Sequence, residues 1–232
     1  MVLKRHIEEL TGKKFDLIIV GGGITGAAVS YIAAARGLSV ALFEKEDYGG
    51  ATSAATSKLI HGGLRYLANM EIRLVRESLR ERRILGNIAP NFVYPLPFVL
   101  PNYKKWKGNI WKMLAGMYLY DFLSYDKKDT WDKSKRLQNH KLISHSKTIR
   151  LEPNLKMKNL RNSFYFFDYQ SIFPERLTLA FIKSAAEYGA KVSNYSPVEG
   201  FRFGIKNRIT GVEVKDLFSG ETKNVYADLI VN

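Results

Sequence analysis

The sequence predicts an α/β fold that is organised around a βαβ unit near the N-terminus. An apolar run, residues 16–20, leads into a glycine-rich turn at 21–26 and then into a helix-forming segment at 27–36. A second apolar segment, residues 39–43, ends at the acidic Glu44. A strand, a tight turn, a helix and a strand in this order are typical of parallel sheets that bind dinucleotides.

Each glycine of the turn has its own physical role. Gly21 allows the tight turn, Gly23 removes the side chain that would block a pyrophosphate, and Gly26 lets the helix pack closely on the strand. Ile24 and Thr25 lie where the helix begins, and the free N–H groups and positive dipole end of a helix attract phosphate. The turn therefore predicts a pyrophosphate-binding site.

The acid at the end of the second strand indicates which dinucleotide binds. The Glu44 carboxylate can accept hydrogen bonds from both hydroxyls of an adenosine ribose, whereas its charge would repel a 2′-phosphate. FAD or NAD is therefore favoured over NADP. Glu44 and its neighbour Lys45 are both among the predicted cofactor-binding residues.

A small, hydroxyl-rich loop at 51–58, followed by residues 59–66, favours a flavin over a nicotinamide. Nothing in an NAD-binding fold requires such a loop, whereas an extended flavin cofactor needs hydrogen-bond donors along its pyrophosphate and ribityl chain. Paired glycines would let the backbone approach the isoalloxazine ring. The predicted cofactor-binding residues of this stretch are Thr52, Ser53, Ser57, Lys58, Leu59, His61, Gly62 and Gly63.

Periodicity and turn residues predict the elements of the middle of the chain. Residues 71–87 form an amphipathic helix whose arginines make a solvated face paired with its own glutamates. Residues 94–101 form a strand whose prolines confine it to an edge or to its ends. Residues 131–147 are polar and predict a loop or frayed helix, in which His140 and His145 are surface residues.

The last third of the chain predicts alternating structure. Residues 163–167 form a strand, and Pro174 opens a helix. A strand at 191–198 precedes a β-meander at 200–225, and residues 226–232 have the pattern of a buried strand.

The motifs of residues 21–66 resemble one known family. Gly21 to Gly26, Thr52-Ser53 and the run from Ser57 to Tyr66 resemble the FAD-dependent glycerol-3-phosphate dehydrogenases and the related glycerophosphate oxidases. The resemblance continues weakly through residues 167–170, Arg176-Leu177 and 227–232. The chain departs from the family at residues 172–175, Ile-Phe-Pro-Glu, where the family usually has a pair of aspartates before the Arg-Leu.

The resemblance implies a glutathione-reductase-like FAD-binding domain with a Rossmann-type βαβ unit, a parallel sheet and a β-meander. It places this domain in residues 1–91 and 166–232, and the start of a substrate-binding lobe in 92–165. Backbone groups near Val198 are expected to touch the adenine. We also expect the C-terminal remainder of the enzyme to lie beyond residue 232.

The implied reaction is the oxidation of sn-glycerol 3-phosphate to dihydroxyacetone phosphate, with electrons passing on to quinone or oxygen. Hydride leaves C2 for flavin N5 while a base takes the hydroxyl proton. His61 is the candidate for acid/base or positioning work, with a structural, hydrogen-bonded histidine as the alternative. Arg65 and Tyr66 are candidates to position the substrate, since a guanidinium binds phosphate in a bidentate way, although Arg65 could equally pair with a buried carboxylate.

Two other functions are compatible with these residues. One is a FAD-dependent oxidoreductase of the same superfamily that acts on an amino acid or a 2-hydroxy acid. The other is a non-catalytic dinucleotide-binding fragment. The sequence leaves the oligomeric state open.

The composition limits the classes of partner. The chain has 36 Lys and Arg against 22 Asp and Glu, a net charge of +14, which suits nucleic acid, an anionic membrane or acidic small molecules. It contains no recognisable nucleic-acid-binding module, so we predict no nucleic-acid partner. The lack of cysteine excludes thiolate sites, and four scattered histidines predict no metal site.

Residues 104–123 combine lysines with an apolar, aromatic segment at 113–123. No apolar run in the sequence reaches the length of a membrane-spanning helix, about 20 residues. Such a segment fits insertion into a membrane interface, as the resemblance to a family with membrane-associated members also implies. The alternative is a core helix whose lysines extend to solvent from its ends. We expect a cytoplasmic protein that binds peripherally to an anionic inner membrane face through residues 104–123, whose basic residues include Lys104, Lys105, Lys107 and Lys112.

Overall fold

A computed structural model describes residues 3–10, 12–104 and 110–232. They form two compact units, Met1–Ser57 with Phe173–Asn232, and Lys58–Ile172. The strands are β1 (Lys14–Val20), β2 (Val40–Phe43), β3 (Leu59–Ile60), β4 (Tyr94–Tyr103), β5 (Lys141–Ser144), β6 (Leu160–Gln170), β7 (Lys191–Ser193), β8 (Val198–Phe203), β9 (Ile209–Lys215) and β10 (Thr222–Val231). The helices are α1 (Ile24–Ala35), α2 (Ile72–Ile88), α3 (Ile110–Leu123), α4 (His145–Leu151) and α5 (Pro174–Glu187).

The first unit contains a six-stranded sheet in the order β7-β2-β1-β10-β9-β8. Strands β7, β2, β1 and β10 pair in parallel, and β8, β9 and β10 pair antiparallel as a β-meander. This arrangement confirms the predicted α/β class, with its βαβ unit, parallel sheet and meander.

Alternate side chains of β1 and β2 supply the two cores of this unit. Leu17 and Leu42 pack with residues of α1 and α5, whereas Ile18 and Phe43 pack with residues of the meander. All four residues of β2 are buried, as expected for a strand that is covered on both faces. The cores therefore fix the carboxyl ends of β1 and β2. The glycine-rich turn follows the end of β1, and Glu44 follows the end of β2.

The predicted strand at 191–198 is shorter in the structure and ends at Ser193. Tyr195 has a φ of 50°, a left-handed conformation that a strand does not contain. The backbone N–H of Ser196 instead donates to the carbonyl oxygen of Glu44 at 2.8 Å. This loop is therefore fastened to the end of β2, and Val198 begins the next strand.

The second unit contains a four-stranded antiparallel sheet in which β6 is central. Strand β4 pairs along one side of β6, and β3 and β5 pair along the other. The prolines of β4 thus lie on an edge strand, as predicted. Helices α2 and α3 pack on this sheet through residues that include Leu79, Tyr120 and Phe166. The predicted lobe of residues 92–165 lies inside this wider unit.

The prediction for residues 131–147 was wrong for residues 141–144 and for His140, whereas His145 is exposed as predicted. The segment contains β5, which pairs with β6 and buries Ile143. His140 is not a surface residue, because its side chain is 6% exposed and its Nδ1 lies 2.7 Å from Asp121 Oδ2. Pairing with a distant strand overrides the polar composition of the segment.

The predicted helix at 71–87 is present as α2, but the partners predicted for its arginines were wrong. Arg76 binds Asp126 in a bidentate way, at 2.8 and 2.9 Å, and Arg83 binds Asp126 at 3.1 Å. Arg82 is buried beside Asp168 rather than solvated. The partners come from distant parts of the chain, not from the helix's own glutamates.

Helix α3 is only partly a core helix. It buries Met117 and Tyr120, whereas Trp111, Tyr118 and Phe122 are about two thirds to three quarters exposed, at 72%, 66% and 72%. Among the described residues no helix is long and apolar enough to cross a membrane. The predicted contributions of Lys105, Trp106 and Lys107 fall outside the described residues.

Candidate cofactor site

The glycine-rich turn of the first unit requires glycine at Gly21 and Gly26 for its own geometry. Gly21 has a φ of 105°, and its N–H donates to the carbonyl oxygen of Phe43 at 2.8 Å, which ties the turn to the end of β2. A Cβ on Gly26 would collide with the carbonyl oxygen of Gly21. The turn and the start of α1 are therefore closely packed on each other.

Gly22 is a constrained position that sequence reasoning missed. A Cβ there would lie 2.7 Å from Tyr48 Cδ1 and 2.9 Å from Glu44 Cβ, which is closer than real Cβ contacts. The N–H of Gly22 also donates to Glu44 Oε2 at 2.6 Å. The third consecutive glycine was the signal that could have identified it.

Gly23 differs from its neighbours because the protein's own packing does not demand glycine there. Its φ of −70° suits any residue, and a Cβ would approach only Ser53 Oγ, at 3.3 Å. Because packing within the chain does not require glycine at this position, the missing side chain leaves room for another group in front of α1. A cofactor pyrophosphate fits this arrangement.

The loop that follows β2 contacts the start of α1 through one buried side chain. Ser53 is 8% exposed, and its Oγ accepts a hydrogen bond from the N–H of Ile24 at 2.9 Å. Gly23 is the N-cap residue, which has no side chain to cap the helix, and the first turn carries no acidic residue. Ile24 and Thr25 are exposed at this helix end, and Thr52 and Ser57 of the loop are also exposed.

The Glu44 carboxylate lies beside the turn and is oriented by backbone amides. Its Oε2 accepts from Gly22 and its Oε1 accepts from the N–H of Glu46 at 2.9 Å. Each carboxylate oxygen can accept a second hydrogen bond, so ribose hydroxyls remain suitable donors. Lys45 is exposed, and Val198 is half-buried at the start of β8.

In the second unit, residues 61–66 form a turn and a short helix with three exposed polar side chains. The N–H of Gly63 donates to His61 Nδ1 at 3.1 Å, so a neutral His61 imidazole carries its proton on Nε2. Gly63 has a φ of 70°, and a Cβ there would lie 2.6 Å from Tyr66 Cδ2. The structure thus brings His61, Arg65 and Tyr66 into one local segment and leaves all three exposed.

Among the residues that the structure describes, Arg65 does not pair with a buried carboxylate. Within the ranges 3–10, 12–104 and 110–232, no Asp or Glu oxygen lies within ion-pair distance of its guanidinium. The alternative considered from the sequence therefore does not hold in the described part of the chain.

Beneath this segment lies a buried polar group that sequence reasoning did not identify. The N–H of Gly62 donates to Tyr120 Oη at 3.0 Å and to Asp168 Oδ1 at 3.2 Å. Arg82 forms an ion pair with Asp168 and lies 3.4 Å from Tyr120 Oη. Burial raises the pKa of the Tyr120 phenol, so this hydroxyl stays protonated and donates to Asp168.

Comparisons of the sequence with a family model and with known proteins agree on one family. The FAD dependent oxidoreductase family matches residues 16–232. Glycerol-3-phosphate dehydrogenase of Synechocystis is 39% identical over 230 residues, and aerobic glycerol-3-phosphate dehydrogenase of Bacillus subtilis is 35% identical over 228. Each alignment covers 98% of this chain but only 40% and 39% of those proteins, so the chain spans about two fifths of the length of the curated relatives it matches.

Solved structures agree with the fold. The glycerol-3-phosphate dehydrogenase from Bacillus halodurans complexed with FAD superposes with a TM-score of 0.70 at 27% identity, covering 97% of this chain and 35% of that one. L-proline dehydrogenase from P. horikoshii has a TM-score of 0.65 at 19% identity, covering 95% of this chain and 52% of that one, which supports the fold alone. Because the family match takes in both compact units, the chain belongs to the FAD-dependent oxidoreductase family, and its cofactor is FAD.

Proposed function

We propose that this chain belongs to an enzyme that oxidises sn-glycerol 3-phosphate to dihydroxyacetone phosphate. The observation that carries the proposal is that relatives of this name align with 98% of the chain at 39% and 35% identity. The L-proline dehydrogenase structure is 19% identical, so it bears on the fold and does not favour an amino-acid substrate.

The residues of the first unit are proposed to hold the cofactor. The turn from Gly21 to Gly26 and the start of α1 bind its pyrophosphate through backbone N–H groups, and Glu44 binds the ribose hydroxyls. The exposed hydroxyls of Thr52 and Ser57 supply further hydrogen bonds, whereas Ser53 holds the loop on α1. FAD itself supplies the hydride acceptor of the reaction.

The residues of the second unit are proposed to act on the substrate and on the flavin edge. The exposed Arg65 guanidinium binds the substrate phosphate, and Tyr66 helps to orient it. His61 positions the substrate by donating a hydrogen bond from its Nε2–H, because its Nδ1 already accepts from Gly63. The backbone of Lys58, Leu59, Gly62 and Gly63 is proposed to approach the cofactor.

We further propose that electrons pass to quinone or oxygen and that the protein binds the inner face of the cell membrane peripherally. The support for the second statement is the exposed aromatic side of α3, with Trp111 beside the exposed Lys112. Sedimentation with anionic vesicles, compared with neutral vesicles, measures this binding. Equal sedimentation with both kinds of vesicle would contradict the electrostatic part of the proposal.

One assay tests the proposed reaction. The protein is purified from its complete reading frame, its flavin is identified by absorption, and reduction of an artificial dye is followed with glycerol 3-phosphate, L-proline, glycine or a 2-hydroxy acid. We expect turnover with glycerol 3-phosphate and a marked loss in Arg65→Ala. Turnover with an amino acid or 2-hydroxy acid instead would establish the superfamily alternative, and flavin without any turnover would establish a non-catalytic protein.

A further inference from the structure

The Gly62 amide of the second unit is held by side chains from three other elements. Its N–H points at Tyr120 of α3 and Asp168 of β6, and Asp168 is paired in turn with Arg82 of α2. Arg82, Tyr120 and Asp168 are 2%, 2% and 3% exposed, so water does not compete for these hydrogen bonds. Helix α2, helix α3 and strand β6 therefore each contribute one group to this network.

Gly62 is also closely packed against Leu79 and Tyr120. A Cβ on Gly62 would lie 2.5 Å from Tyr120 Oη and would collide with the side chain of Leu79. The peptide thus fits against the network with no space for a side chain. The neighbouring residue, His61, is exposed instead.

A contribution to stability alone does not explain why these groups are polar. Replacing a buried ion pair by apolar residues of similar volume is often neutral or stabilising, whereas removing one partner leaves an uncompensated charge. A fully satisfied buried polar network, by contrast, specifies one geometry. The geometry specified here is the direction of a single backbone N–H.

We propose that Arg82, Tyr120 and Asp168 are positioning residues that fix the turn containing His61, Gly62 and Gly63. By holding the Gly62 N–H inward, they set the backbone from which the His61 imidazole and the Arg65 side chain project. The role of this positioning in catalysis rests on the proposed oxidation of glycerol 3-phosphate. The local constraint does not depend on the substrate.

The test is amide hydrogen exchange in the protein from the complete reading frame, comparing the parent with Tyr120→Phe. The substitution keeps the ring that packs edge-on against Phe166 and removes only the hydroxyl. We expect exchange in the peptide covering residues 59–70 to become about tenfold faster, with no change in residues 14–35. Asp168→Asn, which removes the charge opposite Arg82, should accelerate exchange of the same peptide further.

Tyr125→Phe is the matched control, since Tyr125 is 73% exposed and its hydroxyl contacts only Arg76 at 3.1 Å among the described residues. It should leave exchange at 59–70 unchanged. In the flavin-loaded enzyme, Tyr120→Phe should lower kcat with glycerol 3-phosphate about tenfold while changing KM less, because a displaced His61 side chain affects the chemical step more than substrate binding.

Two results would overturn the positioning role. One is unchanged exchange at residues 59–70 in both Tyr120→Phe and Asp168→Asn. The other is an equal acceleration in every peptide of the second unit, which would show general destabilisation. If the parent protein oxidises another substrate, the proposed function fails while the exchange result still decides whether the network fixes the turn.

Discussion

Ser53 Oγ accepts a hydrogen bond at 2.9 Å from the backbone N–H of Ile24, which lies 29 residues earlier in the chain. This contact caps a helix whose own N-cap residue, Gly23, has no side chain. A residue of the hydroxyl-rich loop thus satisfies one backbone donor of α1 while the glycine leaves the helix end accessible. The arrangement combines a stable helix start with space for phosphate.

Removing this hydroxyl should therefore destabilise the first unit. We expect Ser53→Ala to lower the free energy of unfolding by about 0.5–2 kcal/mol, the usual cost of losing a helix cap. Chemical denaturation of the flavin-free protein measures the change. Ser57→Ala is the control, since the exposed Ser57 should alter stability by less than about 0.5 kcal/mol. Equal effects of the two substitutions would show that the Ser53 contact does not stabilise α1.

Gly22 and Gly23 should respond to alanine in opposite ways. At Gly22 a Cβ would lie 2.7 Å from Tyr48, so Gly22→Ala should cost about 1–3 kcal/mol of stability through overpacking. At Gly23 the Cβ fits the chain, so Gly23→Ala should change stability by less than about 1 kcal/mol. The same Cβ should weaken FAD binding about tenfold or more, or about 1.4 kcal/mol, because it enters the pyrophosphate position.

Flavin titration and thermal unfolding of the two variants distinguish these effects. A Gly23→Ala variant that retains FAD with the parent's affinity would contradict the proposed pyrophosphate position. A Gly22→Ala variant as stable as the parent would instead show that Tyr48 and Glu44 adjust to the extra atom.

The ion pairs of α2 predict a pH dependence of stability. The hydrogen bond from Arg76 lowers the pKa of the Asp126 carboxyl below its usual value, although partial burial opposes this. A carboxyl with a lower pKa in the folded than in the unfolded state stabilises the fold above the unfolded pKa, about 3.9, and loses this contribution as the pH falls through the folded pKa. Stability should therefore decrease below about pH 4.

Asp126→Asn should lower stability at neutral pH and reduce the decrease in acid. The comparison of parent and variant isolates this carboxyl from others that titrate in the same range. Asp129→Asn serves as the control, because Asp129 is 81% exposed and exposed ion pairs contribute only about 0–1 kcal/mol. Parallel stability curves for the parent and Asp126→Asn from pH 7 to pH 2 would contradict the prediction.

These contacts show which parts of the site were predictable from the sequence. The turn at 21–26 and Glu44 were predictable because the glycine requirement and the acid are local features of one βαβ unit. Asp168, by contrast, lies 86 residues from Arg82, and no periodicity on α2 indicates that one of its many arginines is buried. The pairing of His140 with Asp121 was missed for the same reason, since a polar sequence around a histidine does not reveal a partner across the fold.

The aromatic side of α3 gives the last prediction. Trp111, Tyr118 and Phe122 are spaced by seven and four residues, which places them on one side of the helix, and each is at least 66% exposed. Phe122→Ser should weaken sedimentation with anionic vesicles, because transfer of a phenylalanine side chain from water contributes about 1.5–3 kcal/mol when burial is complete. Phe203→Ser removes a side chain that is 58% exposed on the first unit and should leave vesicle binding unchanged. If both substitutions reduce binding equally, general surface hydrophobicity rather than α3 accounts for the association, and if neither does, the exposed side of α3 is not a membrane contact.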